Sequence, residues 1–80
     1  RITDEGAIEL FNELQCLNQL QVIDLSFNPI GEKALDALTQ LLNINQNLVV
    51  NMRMNGIKNK FAMRKMANFE SQGRLNIQNV

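Results

Sequence analysis

The chain of 80 residues contains no histidine, tryptophan or tyrosine, and only one cysteine and one proline. Without histidine the commonest general base and the commonest metal ligand are both missing, so a hydrolytic triad cannot be assembled. Cys16 alone makes neither an internal disulfide nor a zinc site, and without a histidine it is a poor nucleophile. The nearby Glu13, Gln15 and Asn18 supply no cation to activate a thiol, so Cys16 is expected to be a small, half-buried filler between a helix and a strand. A lone cysteine also leans towards a reducing compartment. Gly31, Gly56 and Gly73 lie too far apart to cradle a phosphate and read as turn residues. No apolar run approaches the roughly 20 residues that cross a bilayer, and no basic start with an apolar core suggests a secretion signal. The expectation is a soluble, cytoplasmic protein that is not an enzyme and has no catalytic residue, cofactor or metal.

The formal charge is zero, but the two signs are separated. Residues 1 to 42 hold seven acids against Arg1 and Lys33, whereas residues 43 to 80 hold six bases against Glu70. A dipole along the molecule is expected. Lys58, Lys60, Arg64 and Lys65 form a basic cluster, yet with no net charge and only Phe61 interleaved its footprint for nucleic acid is weak. Beside Ile57, Met63, Met66 and Phe69 the cluster can also be read as a basic amphipathic helix for a membrane or a calmodulin-like partner. The simpler reading is a solvated outer face, and neither nucleic acid nor a membrane is expected as a partner.

What the chain does have is a period. Ile30-x3-Ala34-Leu35-x2-Leu38-x2-Leu41 returns as Ile57-x4-Ala62-Met63-x2-Met66-x2-Phe69 and is prefigured by Ile2-x4-Ala7-Ile8-x2-Phe11-x2-Leu14. Ile2, Ile30 and Ile57 are 28 and 27 residues apart, and Leu17-Asn18-Gln19 reappears 27 residues later as Ile44-Asn45-Gln46. A repeat of this length implies stacked units. In the central unit, Ile23 and Leu25 alternate with polar neighbours as in a strand with one buried face. Asn28-Pro29 then forces a turn. From about Glu32, Ala34, Leu35, Leu38, Leu41 and Leu42 fall at helical spacing and present one stripe inward. Each unit is thus a strand, a turn and a helix. Asn28 and Asn55 occupy the same place in successive units, and their amides can satisfy backbone groups of their own and the neighbouring turn, which predicts a small asparagine ladder.

Leu20-Gln21-Val22-Ile23-Asp24-Leu25-Ser26-Phe27-Asn28-Pro29-Ile30, followed by Gly31-Glu32-Lys33-Ala34-Leu35-Asp36-Ala37-Leu38, resembles the leucine-rich repeat of the long helical, ribonuclease-inhibitor-like subtype. The next unit, Asn47 to Ile57, keeps the turn but has Asn47 where the first apolar residue belongs. Arg74 to Val80 puts Asn79 at a position that should face inward. The resemblance implies a right-handed α/β solenoid, with short parallel strands on one face and helices on the other. It divides residues 1–80 into a partial first repeat at 1–19, repeats at 20–46 and 47–73, and the start of a degenerate fourth repeat or cap at 74–80. Because the chain opens on Arg1 in mid-repeat, it is expected to be a C-terminal piece of a longer array, marginal when isolated from preceding repeats.

If Ile23, Leu25, Val50 and Met52 point inward, then Val22, Asp24, Ser26, Val49, Asn51 and Arg53 line the opposite face in rows. In the resembling family this concave face is the usual protein-binding surface. Val22, Asp24, Val49, Asn51 and Arg53, with Phe27 and Met54 at the sheet edge, are therefore the candidate contacts for a partner protein, free or within a large complex. The plain alternative is that they are ordinary exposed strand residues. The resemblance leaves two further classes open: a structural scaffold subunit of a large assembly, for example in cytoskeleton or cilium, using its basic helix against an acidic neighbour, and a regulator of a small GTPase.

Overall fold

Three short strands pair in parallel in the order β1 (Gln21–Asp24), β2 (Leu48–Asn51) and β3 (Leu75–Asn76), in a computed structural model that describes residues 1–16, 19 and 21–79. Parallel neighbours need a crossover, and helices supply it. Helix α1 (Asp4–Leu14) precedes β1, and a 3-10 turn (Glu32–Ala34) running into α2 (Leu35–Ile44) joins β1 to β2. Two short helices, α3 (Lys60–Lys65) and α4 (Ala67–Ser71), join β2 to β3. Among the described residues the fold is α/β, a three-stranded parallel sheet with four α-helices. Leu20, which opens the central motif, Leu17 and Asn18 of the recurring tripeptide, and Val80 lie outside the described residues.

Gln21 stands opposite Leu48, Ile23 opposite Val50 and Asp24 opposite Asn51, so the β1–β2 register equals the 27-residue sequence period. From β2 to β3 the offset shortens, with Val50 opposite Leu75 and Asn51 opposite Asn76. Leu25, Leu48, Val50, Met52, Leu75 and Ile77 are buried and Ile23 packs against them from a half-buried position. The helices close the core from the other side. Phe11, Leu38 and Met66, the same position of three units, are all buried. Their neighbours differ by unit: Leu35 and Leu41 are buried, while Ile8, Leu14, Met63 and Phe69 are half-buried. Helix α1 packs on α2 and its 3-10 turn, so the central unit is covered on that side by the preceding one.

Hydrogen bonds between units follow the same period. Asn28 donates through Nδ2 to the Leu25 and Ser26 carbonyls and accepts through Oδ1 from the Ile2 N–H at 2.7 Å. Asn55 donates to the Met52 and Ile77 carbonyls at 2.7 and 2.9 Å and accepts from the Ile57 N–H. Asn79 does not face inward. It is exposed, accepts from the Asn55 N–H at 2.7 Å and donates to the Ile57 carbonyl, making a further rung of the ladder.

A second ladder is built of carboxylates. Asp4 Oδ1 accepts the Gly31 N–H, and Glu32 Oε1 accepts the N–H groups of Lys58 and Asn59, each at 3.0 Å. In the third unit the corresponding residue is Asn59, whose Oδ1 caps its own helix on the N–H groups of Phe61 and Ala62. The hydrogen bond from the Lys58 N–H, then those from its own backbone and from Asn59, with the Lys58 charge adding to them, hold the Glu32 carboxyl below the usual glutamate range. A carboxyl whose pKa falls on folding stabilises the fold above its unfolded pKa and stops doing so as pH drops through the folded one. Thermal melts of wild type and Glu32→Gln should therefore show a gap at about pH 6 that narrows as the pH falls through the acid range. A gap constant over that range would show that the charge contributes nothing.

Two further expectations are corrected. Cys16 is exposed, not a half-buried filler, because it lies beyond the end of α1 at Leu14. The third unit has no single continuous helix. At the break around Met66 the backbone hydrogen bonds tighten to three-residue spacing. The Met66 N–H accordingly bonds the Met63 carbonyl and the Phe69 N–H the Met66 carbonyl. Met66 itself leaves the helical region (φ −96°, ψ 2°), its side chain buried with Sδ 3.4 Å from the Thr39 hydroxyl.

Arg74 ties the last strand to the back of the molecule. Its Nη2 donates to the Leu42 and Asn45 carbonyls at 2.5 and 2.8 Å, its Nη1 to Gln72, and its guanidinium lies 5.7 Å from the Phe69 ring centre. A cation is well placed there, because the last carbonyls of α2 carry the negative end of the helix dipole. Gly56 is favoured by close approach: a Cβ there would lie 3.2 Å from the Pro29 carbonyl carbon, tighter than an ordinary contact. Gly73 is demanded by its φ of +74° between α4 and β3.

Candidate functional site on the strand face

The sheet has one free face, and its residues fall in rows because the strands are in register. Val22 and Val49 are partners in one row, and Asp24, Asn51 and Asn76 form the next. Val22, Asp24 and Arg53 are exposed, while Val49 and Asn51 are half-buried. All five candidate residues therefore share the outward face. Val22, Val49 and Asn51 line an open depression of about 460 Å³ with Asn76, Gln78 and Glu70.

The second row is chemically occupied at its base. Asp24 Oδ1 accepts the Ser26 N–H at 2.9 Å, Asn51 Oδ1 accepts the Arg53 N–H at 3.2 Å, and Asn76 Oδ1 accepts the Gln78 N–H at 3.1 Å. Each strand so ends in the same Asx turn, a side chain two residues back mimicking the backbone. The Ser26 hydroxyl donates across to Asn51 Oδ1 at 3.0 Å. The Ser26 backbone N–H first, then its hydroxyl and the charge of Arg53, hold the Asp24 carboxyl below the usual aspartate range. Asp24 and Asn51 thus shape the strand ends before they meet anything else. The signal was present in the sequence as Asp24-x-Ser26, Asn51-x-Arg53 and Asn76-x-Gln78 at near-constant intervals, but an isolated acid or amide on a strand reads equally well as a contact.

Just past the first two Asx turns the backbone enters the left-handed region at a bulky residue, Phe27 with φ 64° and Met54 with φ 56°. Such conformations cost about 1 to 3 kcal/mol each and persist only where the surroundings over-determine them. Here the Phe27 N–H bonds the Arg53 carbonyl and the Met54 N–H the Gln78 carbonyl, both at 2.9 Å, and each residue is followed by a ladder asparagine. The result is two apolar side chains held outward at one end of the sheet, Phe27 71% and Met54 40% exposed. Nothing about phenylalanine or methionine in a sequence announces a positive φ.

The basic cluster sits elsewhere, on and before α3. Lys58, Lys60, Arg64 and Lys65 are all exposed, with Phe61 equally so and the Arg64 guanidinium 5.6 Å from its ring centre. Among the described residues, no three His, Cys, Asp or Glu side chains are grouped to hold a metal ion, and no helix is long and apolar enough to cross a membrane. Comparison with protein-family models finds no match, and comparisons with curated proteins and with solved structures likewise find none.

Proposed function

We propose that this chain is a non-catalytic, cytoplasmic protein-recognition module of the leucine-rich repeat kind, a segment of a right-handed α/β solenoid that meets its partner through the strand face. The reading rests on the residues from Leu20 to Leu42 and on the sheet offset that equals the sequence period. The observation that carries the binding surface is the strained pair Phe27 and Met54, two exposed apolar side chains repeated at one end of rows that include Val22 and Arg53. Exposed aromatic and apolar anchors beside a charge are what binding hot spots are made of.

Two variants separate binding from folding. Phe27→Gly removes the anchor while giving the left-handed position the residue that best accepts it, so the melting temperature is not lowered. Arg53→Glu reverses an exposed charge. With the intact protein and a partner identified by capture and mass spectrometry, each variant is expected to weaken affinity at least ~10-fold, the effect of ~1.4 kcal/mol. Unchanged affinity in both would remove the strand face from the interface. The exposed cluster around Phe61 favours a second reading, a scaffold subunit docking an acidic neighbour through α3. That reading predicts the reverse pattern, with loss on Lys60→Glu and Lys65→Glu together.

A further inference from the structure

Twelve asparagines are spread along the chain, and Asn55 alone is followed by glycine. An unhindered Asn-Gly pair is the most labile asparagine setting in a polypeptide, because the next backbone nitrogen can reach the side-chain carbonyl without a Cβ in the way. Asn28, at the same rung one unit earlier, is followed by Pro29, which has no N–H to serve as the nucleophile. The two rungs share the Nδ2 hydrogen bond to the carbonyl three residues back and are opposite in chemistry. A Cβ at this position would crowd the Pro29 backbone, so the packing that favours glycine in the turn also creates the labile pair.

In the folded turn every participant is held. The Gly56 N–H, which must lose its proton to attack, donates to the Ile30 carbonyl at 2.9 Å. The leaving group, Asn55 Nδ2, donates to Met52 and Ile77 carbonyls. The Ile57 N–H on Asn55 Oδ1, at 2.8 Å, polarises the carbonyl and would assist attack once the nucleophile is free. We propose that Asn55-Gly56 is a latent site of spontaneous deamidation, closed by the asparagine ladder and opened when the last rung separates. On opening, Gly56 N bonds to Asn55 Cγ and gives its proton to solvent base. The Cγ–Nδ2 bond breaks, and ammonia leaves a five-membered succinimide. Water adds to either ring carbonyl and a C–N bond breaks, yielding aspartate or isoaspartate. Both products lack the Nδ2 donor; aspartate places a carboxylate against the Met52 and Ile77 carbonyls and isoaspartate reroutes the backbone through Cβ, so a modified rung cannot close again.

The inference does not depend on what the strand face binds. Its test is peptide mapping that separates asparagine, aspartate and isoaspartate at position 55, after timed incubation of the intact protein in mildly alkaline buffer with and without guanidinium. In denaturant Asn55 should convert faster than Asn59. In the native protein conversion should be at least ~10-fold slower than in denaturant, corresponding to ~1.4 kcal/mol for opening. Asn79→Ala removes the acceptor of the Asn55 N–H and should raise the native rate towards the denatured one. Equal native and denatured rates, an Asn55 no faster than Asn59 in denaturant, or a native rate unmoved by Asn79→Ala would each overturn the proposal.

Discussion

Asn28→Ala is expected to destabilise the fold by about 2 to 3 kcal/mol, while Asn43→Ala changes it by no more than about 0.5 kcal/mol. In a domain of this size the first loss lowers the melting temperature by roughly 10 to 20 °C. Both residues are asparagines, and the difference lies in where their hydrogen bonds go. Asn43 is exposed on α2. Asn28 satisfies two carbonyls of its own turn and the N–H of Ile2 in the preceding unit, so truncation leaves three backbone groups without their partner. Leaving buried polar groups unpaired costs more than a hydrogen bond contributes when made, which is why the loss exceeds that of a typical contact. Asn28→Asp keeps Oδ1 for Ile2 but replaces a donor with a carboxylate facing two carbonyls, and at neutral pH it should be no better than alanine. Denaturant melts of the three variants measure this directly. Equal midpoints for Asn28→Ala and Asn43→Ala would mean that the ladder contributes nothing.

The features legible in the sequence were those that recur. The alternation at Ile23 and Leu25, and the equivalence of Asn28 with Asn55, follow from a period that the β1–β2 register reproduces. The outward placement of Val22, Asp24, Val49, Asn51 and Arg53 comes from the same alternation. The misplaced residues are those where the period changes or where the partner is backbone. Alternation continued past Ile77 puts Asn79 inward, but the chain leaves it there and Asn79 turns back to Asn55 and Ile57. Asp4 and Glu32 recur 28 residues apart, yet an acid at the start of a helix already has an explanation, which hides the bond to the next unit. Arg74 carries no periodic signal at all. Its partners are the carbonyls of Leu42 and Asn45, and no side-chain pattern records where carbonyls point. The partner-binding role of the strand face is a matter of another molecule's surface, and the chain's own residues speak only to its shape.

Leu41→Ala is expected to cost about 3 to 4 kcal/mol, against about 1 to 2 kcal/mol for Leu14→Ala at the same place in the preceding unit. The chemical change is identical, and helix propensity changes equally in both. What differs is the wall on each side. Leu41 is fully buried in α2, covered by the core and by α1, whereas Leu14 near the end of α1 is half-buried. A leucine with partners all round loses transfer free energy and leaves a cavity that neighbours cannot fill. One with an open side loses fewer contacts and leaves a gap that water or adjacent side chains enter. The same reasoning applied to Phe69, half-buried in α4, places its loss nearer to that of Leu14 than its larger ring would suggest. Chemical denaturation of the pair, with the slope checked to be unchanged so that midpoints compare stability, reads the difference. If the two substitutions cost the same, burial in this fold is set by each unit alone, and units do not stabilise one another by stacking. If Leu41 costs more by about 2 kcal/mol, the central unit derives that margin from its neighbours, the relation expected when stability is a sum over units and the interfaces between them.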